Sequence, residues 1–305
     1  HALVQGNVVH NQQGPGIYIE DGNELYNVVE ENVVMCSELQ SNSVLCKLKN
    51  VRNRPETTDS DWNEVSGLYF LAPMNHTIGN RVFGYDNAMY VNRNTSGQTG
   101  LGMAKGKLCV SAFPFGYTVG NVFHNNAGFG WYANTAFPMD LINLGGLEVS
   151  NDGENMKGTV VDWSTCLPFS LEGQDHSFNI KIQKHVEYFN DFSAGVYSVG
   201  DVTLEDYTTY GGNKGLYWKT YRRGANSDPL CVNCTFARTT IEGPGGSALV
   251  EFRDSEFYRS HEAYQVNHHC SLDGGTGGLC ASHYDFRTSR FYEWSQAEET
   301  YVDGG

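Results

Sequence analysis

A short repeated pattern constrains the fold of this chain more than any other feature. A glycine–asparagine pair followed by strand-like residues occurs three times, at 6–11, 79–84 and 120–125. Each copy leads across a small turn into a second strand-like stretch, at 16–19, 89–92 and 130–133. Weaker copies follow, and two of their glycines, Gly195 and Gly215, are 20 residues apart.

Repeats of this size that contain two or three short strands are typical of a solenoid. We therefore predict an all-β fold, a right-handed parallel β-helix with long corner loops and roughly a dozen coils of about 20–25 residues. Gly6, Gly79 and Gly120 should occupy equivalent left-handed corners, where other residues pay a steric cost. The asparagines that follow them should stack between coils. A β-sandwich is the alternative, but it favours hairpins at a spacing of about 8–12 residues.

The composition agrees with this class, because glycine, tyrosine and phenylalanine are abundant and only 18% of the residues are charged. Such a chain is a poor helix former. We expect a single β-helix domain over 1–305, a fragment of a larger extracellular protein. Three polar stretches interrupt the repeat and are predicted to be loops that leave coil corners: 38–66, 95–115 and 136–156.

The charge balance limits the possible partners. Lys and Arg number 20 against 35 Asp and Glu, so the formal net charge is −15. A nucleic-acid binder needs a basic face, so that class is disfavoured. No apolar run approaches the roughly 18 residues of a membrane span, so we expect no direct span in this segment. Polysaccharides or glycoprotein glycans are the expected partners.

The cysteines and sequons favour an extracellular or cell-surface location. An even number of cysteines in such a chain predicts disulfides. The disulfide candidates are Cys36, Cys46, Cys109, Cys166, Cys231, Cys234, Cys270 and Cys280. Three Asn-X-Ser/Thr sequons add candidate glycosylation sites at Asn75, Asn94 and Asn233.

One segment carries a more specific motif. Residues 16–27 read Gly-Ile-Tyr-Ile-Glu-Asp-Gly-Asn-Glu-Leu-Tyr-Asn. This stretch resembles the aromatic-x-x-Glu-Asp-Gly-x-Glu-x-x-Asn signature of β-helix ectodomains in the fibrocystin and fibrocystin-L group. It is also similar to that of the cell-migration-inducing, hyaluronan-binding proteins and their transmembrane hyaluronidase relatives. The segments at 67–75, 78–80 and 120–126 follow in the family's order, and the resemblance covers residues 1 to about 220, weakening after about 223.

The resemblance implies the fold more strongly than an activity, because that group contains both polysaccharide hydrolases and non-enzymatic surface proteins. We expect a structural, adhesive or glycan-binding module. The alternatives are a cell-surface hydrolase of a hyaluronan-like polysaccharide and a subunit of an extracellular filament formed by self-association.

The acidic residues of the motif are the candidate catalytic residues. Glu20, Asp21 and Glu24, with Glu30 and Glu31 nearby, form the densest acidic cluster. A glycosidase needs two carboxyl groups about 5–10 Å apart, and Ca²⁺ takes several oxygen ligands from such turns. Asp21 and Glu24 are therefore also candidate ligands of calcium, the one cofactor that the sequence suggests. The alternative is an ordinary turn in which Asp21 bonds backbone amides.

Four further groups of residues are candidates for binding. Tyr221, Arg222 and Arg223 form a compact basic spot that could contact a uronic acid. His10 and His124 share one position in the repeat but should lie too far apart to share a metal. A zinc site from His268 to His283 matches no standard spacing, and a Cys270–Cys280 disulfide is simpler. Aromatic residues in the strands could stack on sugars, although most should fill the core.

Overall fold

The fold is described from a computed structural model. It describes residues 2–12, 14–19, 24–37, 66–70, 73–91, 98–100, 106–108, 115–133, 140–142, 160–162, 168–169, 180–199, 202–221, 229–243, 249–259, 264–266 and 283–292.

Three long parallel sheets, here named A, B and C, contain most strands, which are numbered in chain order. Sheet A contains β1 (Leu3–Gln5), β4 (Val28–Glu30), β7 (His76–Ile78), β12 (Thr118–Val119), β18 (Ile180–Gln183), β21 (Val202–Glu205), β24 (Leu230–Val232), β27 (Leu249–Arg253) and β30 (His283–Arg287). Sheet B contains β2 (Val8–His10), β5 (Val33–Met35), β8 (Arg81–Phe83), β13 (Val122–His124), β19 (Val186–Tyr188), β22 (Thr208–Tyr210), β25 (Thr235–Ala237), β28 (Glu256–Tyr258) and β31 (Arg290–Tyr292).

Sheet C contains β3 (Ile17–Ile19), β6 (Ser66–Phe70), β9 (Asn87–Val91), β14 (Phe129–Ala133), β20 (Phe192–Val199), β23 (Lys214–Tyr221), β26 (Thr240–Gly243) and β29 (Tyr264–Val266). Two small sheets lie in the long connections. They are the antiparallel pair β10 (Gln98–Gly100) and β11 (Gly106–Leu108), and the group β15 (Asp140–Ile142), β16 (Val160–Asp162) and β17 (Pro168–Phe169).

This arrangement is a parallel β-helix, as predicted, because each strand of sheets A, B and C pairs in parallel with the equivalent strand of the next coil. The antiparallel sandwich is excluded for the described residues, which contain no helix and therefore none that could span a membrane. The described part has nine coils rather than a dozen. The spacing between equivalent residues ranges from 21 to 64, since long connections leave the corners.

The corner between sheets A and B is built alike in every coil. Gly6, Gly79 and Gly120 stand there at φ of 66°, 63° and 66°, which confirms their predicted equivalence. In the other coils the same left-handed position is occupied by residues with side chains: Glu31, Lys184, Asp206, Asn233, Asp254 and Thr288. Glycine is therefore favoured at this corner but not required.

An asparagine ladder follows this corner inside the helix. Asn32, Asn80 and Asn121 are fully buried, and their amides are stacked on one another in successive coils. The Oδ1 of Asn80 accepts from the backbone N–H of Asn32 at 3.1 Å and from its Nδ2 at 3.0 Å. The Nδ2 of Asn80 donates to the carbonyl of Val29 at 2.8 Å and to Oδ1 of Asn121 at 3.0 Å. The ladder thus satisfies buried backbone groups and fixes the register of neighbouring coils.

A seam of small residues lets sheet C approach sheet B. At this position successive coils carry Gly16, Gly67, Ala88, Gly130, Ser193 and Gly215. A Cβ on Gly67 would lie 2.1 Å from Cγ1 of Val82, and one on Gly16 would lie 2.3 Å from Cγ1 of Val34. Both valines point inward from sheet B and are fully buried. The seam therefore has no room for a larger side chain at either glycine.

We predict that Asn80→Ala lowers the free energy of unfolding by about 3 kcal/mol, because it leaves several buried groups without partners. The matched control is Asn7→Ala at the exposed end of the same ladder, which should cost no more than about 1 kcal/mol. Urea denaturation of both variants measures the difference. Equal losses would contradict a stabilising role for the buried ladder.

We also predict that Gly67→Ala destabilises the fold by about 3 kcal/mol through overpacking against Val82. Adding Val82→Ala should recover part of this loss, so the two changes should couple favourably in a double-mutant cycle. Gly6→Ala is the control, since its Cβ would meet nothing within 4 Å. This control should lower the free energy of unfolding by only about 1–2 kcal/mol, which is the cost of placing alanine in the left-handed conformation.

Candidate functional site

The outer face of sheet B carries a row of exposed aromatic rings. Side chains alternate between the interior and the surface along each strand, and the last residue of each sheet B strand points outward. The register places these residues in one line along the helix axis: His10, Met35, Phe83, His124, Tyr188, Tyr210, Ala237, Tyr258 and Tyr292.

The middle of this row is continuously aromatic. The rings of Phe83 and His124 stack at 4.7 Å between centroids, and those of His124 and Tyr188 stack at 4.5 Å. Phe189, at the adjoining corner, meets Tyr188 at 5.9 Å and Tyr210 at 5.4 Å, both edge to face. We name these five residues the aromatic stripe; Phe189 is 53% exposed and Tyr210 is 37% exposed.

Positive groups border the stripe. Arg81 is exposed on β8 beside Phe83, Lys184 lies at one corner, and the guanidinium of Arg238 lies 5.8 Å from the centre of the Tyr210 ring. None of the three forms an ion pair with a described residue.

The outward positions of β8, β13, β19, β22 and β25 carry no carboxyl group. The nearby acids, Asp191 and Asp206, lie at the two corners. This face is therefore neutral to positive although the chain is strongly acidic.

His124 occupies the centre of the stripe as a base with a weakened affinity for protons. Burial lowers its pKa below the ordinary 6.5, and repulsion from Arg81 acts in the same direction, while a hydrogen bond with Asn125 opposes them. The imidazole Nδ1 lies 2.8 Å from Oδ1 of Asn125, which accepts, so Nδ1 carries the hydrogen. Its ring is thus held flat between its two aromatic neighbours.

Only some of the acidic candidate residues lie within the described part of the chain. Glu20 and Asp21 lie outside the described residues. Glu24 is exposed, and its carbonyl accepts a hydrogen bond from Asn27 Nδ2 at 3.2 Å. Glu30 points outward from sheet A between Gln5 and Ile78, and Glu31 stands at the next corner with a φ of 55°. The adjacent coils therefore bring no second carboxyl group to Glu30. Within the described ranges, no three acidic, His or Cys side chains could hold a metal.

The cysteines differ from the prediction in part. Cys36 is disulfide-bonded, and its partner lies outside the described residues. Cys231 and Cys234 are buried free thiols, so they are not disulfide-bonded here. Cys231 packs inward between Leu204 and Phe252, and burial raises its pKa well above the usual range. Cys46, Cys109, Cys166, Cys270 and Cys280 lie outside the described residues.

The asparagines of the described sequons differ in their exposure to solvent. Asn75 is only 3% exposed, and its Oδ1 accepts from both the backbone N–H and Nδ2 of Asn27. Its amide would have to leave these hydrogen bonds with Asn27 to carry a glycan, and glycosylation of Asn75 stays a prediction. Asn233 is exposed at a left-handed corner, where its Nδ2 donates to Asp206 at 2.6 Å. Asn94 lies outside the described residues.

The remaining candidates lie only partly within the described residues. Tyr221 ends β23, and Arg222 and Arg223 lie outside the described residues. His10 and His124 do share one row, as predicted, with Met35 and Phe83 between them. Most of the proposed zinc group, including Cys270 and Cys280, is outside the described residues, and His283 begins β30.

A second aromatic row occupies the outer side of sheet C. Tyr18, Tyr69, Tyr90 and Tyr132 follow one register, with centroid distances from 4.8 to 5.5 Å. Tyr69 and Tyr90 are nevertheless no more than 1% exposed. This row is therefore buried, unlike the stripe on sheet B.

Sequence reasoning found His124 but missed the rest of the stripe. The signal was present, because Phe83 and His124 both stand four residues after the corner glycine. Tyr188 and Tyr210 hold the same position, but their corners carry Lys184 and Asp206 instead of glycine. A search that required the glycine could not align them.

Comparison with known families supports the fold and part of the resemblance. Residues 1–131 match the family model described as the CEMIP beta-helix. The resemblance inferred from the motif is thereby confirmed over those residues, and the matched part is shorter than the 1–220 predicted. No curated protein matches the chain.

We predict that an NMR titration finds the pKa of His124 below 6.5 and that Arg81→Gln raises it. The folded pKa is depressed, so this imidazole contributes stability that is present above the unfolded pKa of about 6.5 and lost as the pH falls through the folded pKa. Arg290→Gln, at the far end of the same sheet, is the control and should leave the His124 titration unchanged. An unshifted titration in Arg81→Gln would rule out the electrostatic contact.

Proposed function

We propose that this chain is a glycan-binding module of a cell-surface or secreted protein and that the aromatic stripe of sheet B is its binding face. The observation that carries the proposal is the unbroken contact of five aromatic rings on an exposed, carboxyl-free face. Exposed contiguous apolar surface on a folded protein commonly serves binding.

The geometry of the stripe suits an extended chain of sugars. Strands in a sheet are about 4.8 Å apart, so the stripe from Phe83 to Tyr210 spans three steps, about 14 Å. A sugar ring presents an apolar face of C–H groups that can lie on an aromatic ring. Several rings at coil spacing therefore offer successive contacts to one polysaccharide chain.

The bordering cations favour a glycan with carboxylate groups. Arg81 and Arg238 are exposed and have no carboxylate partner among the described residues. A guanidinium binds a carboxylate through paired hydrogen bonds. A uronic acid polysaccharide, such as hyaluronan, would gain these contacts, whereas a neutral glucan would gain only the stacking.

The family match supports both the location and the substrate class. The CEMIP β-helix belongs to cell-surface and secreted proteins related to hyaluronan-binding and hyaluronan-cleaving members. The disulfide at Cys36 agrees with an oxidising compartment. Of the two sequon asparagines in the described residues, Asn233 is the exposed one and is the candidate to carry a glycan.

A polysaccharide hydrolase is the second candidate, because the matched residues 1–131 include Glu20, Asp21 and Glu24. In that function these carboxyl groups would serve as acid and base, with Asp21 and Glu24 able to bind calcium. Release of reducing ends from hyaluronan, measured with and without a chelator, tests it. Loss of release in Asp21→Asn would support the assignment, and no release by the parent chain would exclude it.

We predict that Phe189→Ser and Tyr210→Ala each weaken binding of a hyaluronan oligosaccharide by about tenfold, equivalent to about 1.4 kcal/mol. Isothermal titration calorimetry measures the dissociation constants. Arg238→Gln should weaken binding of hyaluronan but leave that of a cello-oligosaccharide unchanged, because only the former has carboxylates.

The matched control is Tyr117→Ala, since Tyr117 is a 69% exposed tyrosine immediately before β12 of sheet A, outside the stripe. It should bind like the parent, and thermal melting should show that all variants are folded. If Tyr117→Ala weakens binding as much as the stripe variants do, the stripe is not the binding face.

A further inference from the structure

A second polar site lies inside the β-helix, and it is independent of the proposed glycan face. In the fifth coil the corner position of the asparagine ladder is held by His185, and in the sixth it is held by Tyr207. Glu187 points inward from β19, between Phe123 and Thr209 of the neighbouring coils. All three side chains are completely buried.

The absence of a side chain at Gly130 leaves space for the carboxyl group of Glu187. A Cβ on Gly130 would lie 1.5 Å from Oε2 of Glu187, so the absence of that Cβ makes the space. Oε2 accepts a hydrogen bond from Nδ2 of Asn190 at 3.1 Å. The next residue along the seam is Ser193, which is small and whose hydroxyl is bonded to Thr209 at 2.8 Å.

The other side of this carboxyl group faces polar atoms that lack hydrogen bonds. Oε1 of Glu187 and both ring nitrogens of His185 have no hydrogen-bond partner, and the hydroxyl of Tyr207 has none of good geometry although it lies close to the Glu187 carboxyl group. Oε1 lies 3.4 Å from Nε2 of His185, beyond the usual range of about 2.7–3.2 Å. Burial raises the pKa of Tyr207 well above its usual range, and both the charge of Glu187 and a hydrogen-bonding contact with that carboxyl group add to the rise.

Leaving these atoms unpaired would be costly. A buried polar group without a partner costs about 1–3 kcal/mol, and a charged one costs more. Aromatic contacts fix the rings, since His185 lies between Phe123 at 4.6 Å and Tyr207 at 6.0 Å. These contacts hold the imidazole ring in its orientation, so a small donor and acceptor such as water can complete the hydrogen bonding of Glu187 and His185.

We propose that the interior binds a water molecule between Glu187, His185 and Tyr207. Water can donate to Oε1 of Glu187 and accept from the Tyr207 hydroxyl or a His185 N–H, and buried waters typically make about three such bonds. A divalent cation fits less well, because Ca²⁺ takes about 6–8 oxygen ligands and this cluster has a single carboxyl group.

A crystal structure of the parent chain at about 1.5 Å resolution tests the proposal. We expect an electron-density peak within about 2.6–3.2 Å of Oε1 of Glu187 and of a His185 nitrogen or the Tyr207 hydroxyl. A dry site, with His185 or Tyr207 bonded directly to Glu187, would overturn it. A rubidium anomalous peak after soaking would also overturn it, because the ligand would then be a monovalent cation.

Two substitutions at Glu187 test whether its carboxyl group holds the water. Glu187→Gln keeps polar atoms on both sides and should retain the peak. Glu187→Met has a similar length but no polar group and should lose it. Retention of the same peak in Glu187→Met would show that Glu187 does not hold the water. If Glu187→Met fails to fold, the parent and Glu187→Gln still decide the question.

Discussion

The rest of the structure depends on the hydrogen bonds between stacked asparagine side chains at the corner of sheets A and B. Asn80 accepts from the preceding coil and donates both to a backbone carbonyl and to the next amide, whereas Asn121, the last amide of the ladder, donates to the Thr77 carbonyl. A shift of one residue would exchange inward and outward side chains along a strand. The ladder therefore fixes the interior and also aligns the outward residues of sheet B into one row.

This dependence explains which parts of the fold the sequence could predict. Gly6, Gly79 and Gly120, each followed by asparagine, were enough to identify a parallel β-helix and its equivalent corners. The number of coils could not be predicted from the length of the chain. A corner tolerates an inserted loop of any length, provided that the loop brings the chain back to the start of the next strand. A loop's closure entropy grows only slowly with its length, so spacings of 22 and 64 residues coexist in one helix.

The site was harder to predict than the fold for a related reason. Whether a corner residue faces inward or outward depends on its place relative to the left-handed residue, and the sequence alone does not give this. Asn75 carries a sequon but belongs to a buried ladder, whereas Asn233 is itself the exposed left-handed residue. Tyr188 and Tyr210 were missed because lysine and aspartate replace glycine at their corners. Only the strand register reveals that they continue the row of Phe83 and His124.

The interior changes character where the ladder ends. Before the longest connection, sheet B contributes Val34 and Val82 to the core; after it, the core contains stacked rings such as Phe236 and Phe257, 5.4 Å apart. Glu187 and Thr209 lie between these two regions, in the coils where His185 and Tyr207 replace the corner asparagine. Asparagine amides of equal size can bond to one another indefinitely, but an imidazole and a phenol cannot continue that pattern. The polar groups at this junction must find other partners, which is why we place the proposed internal water there.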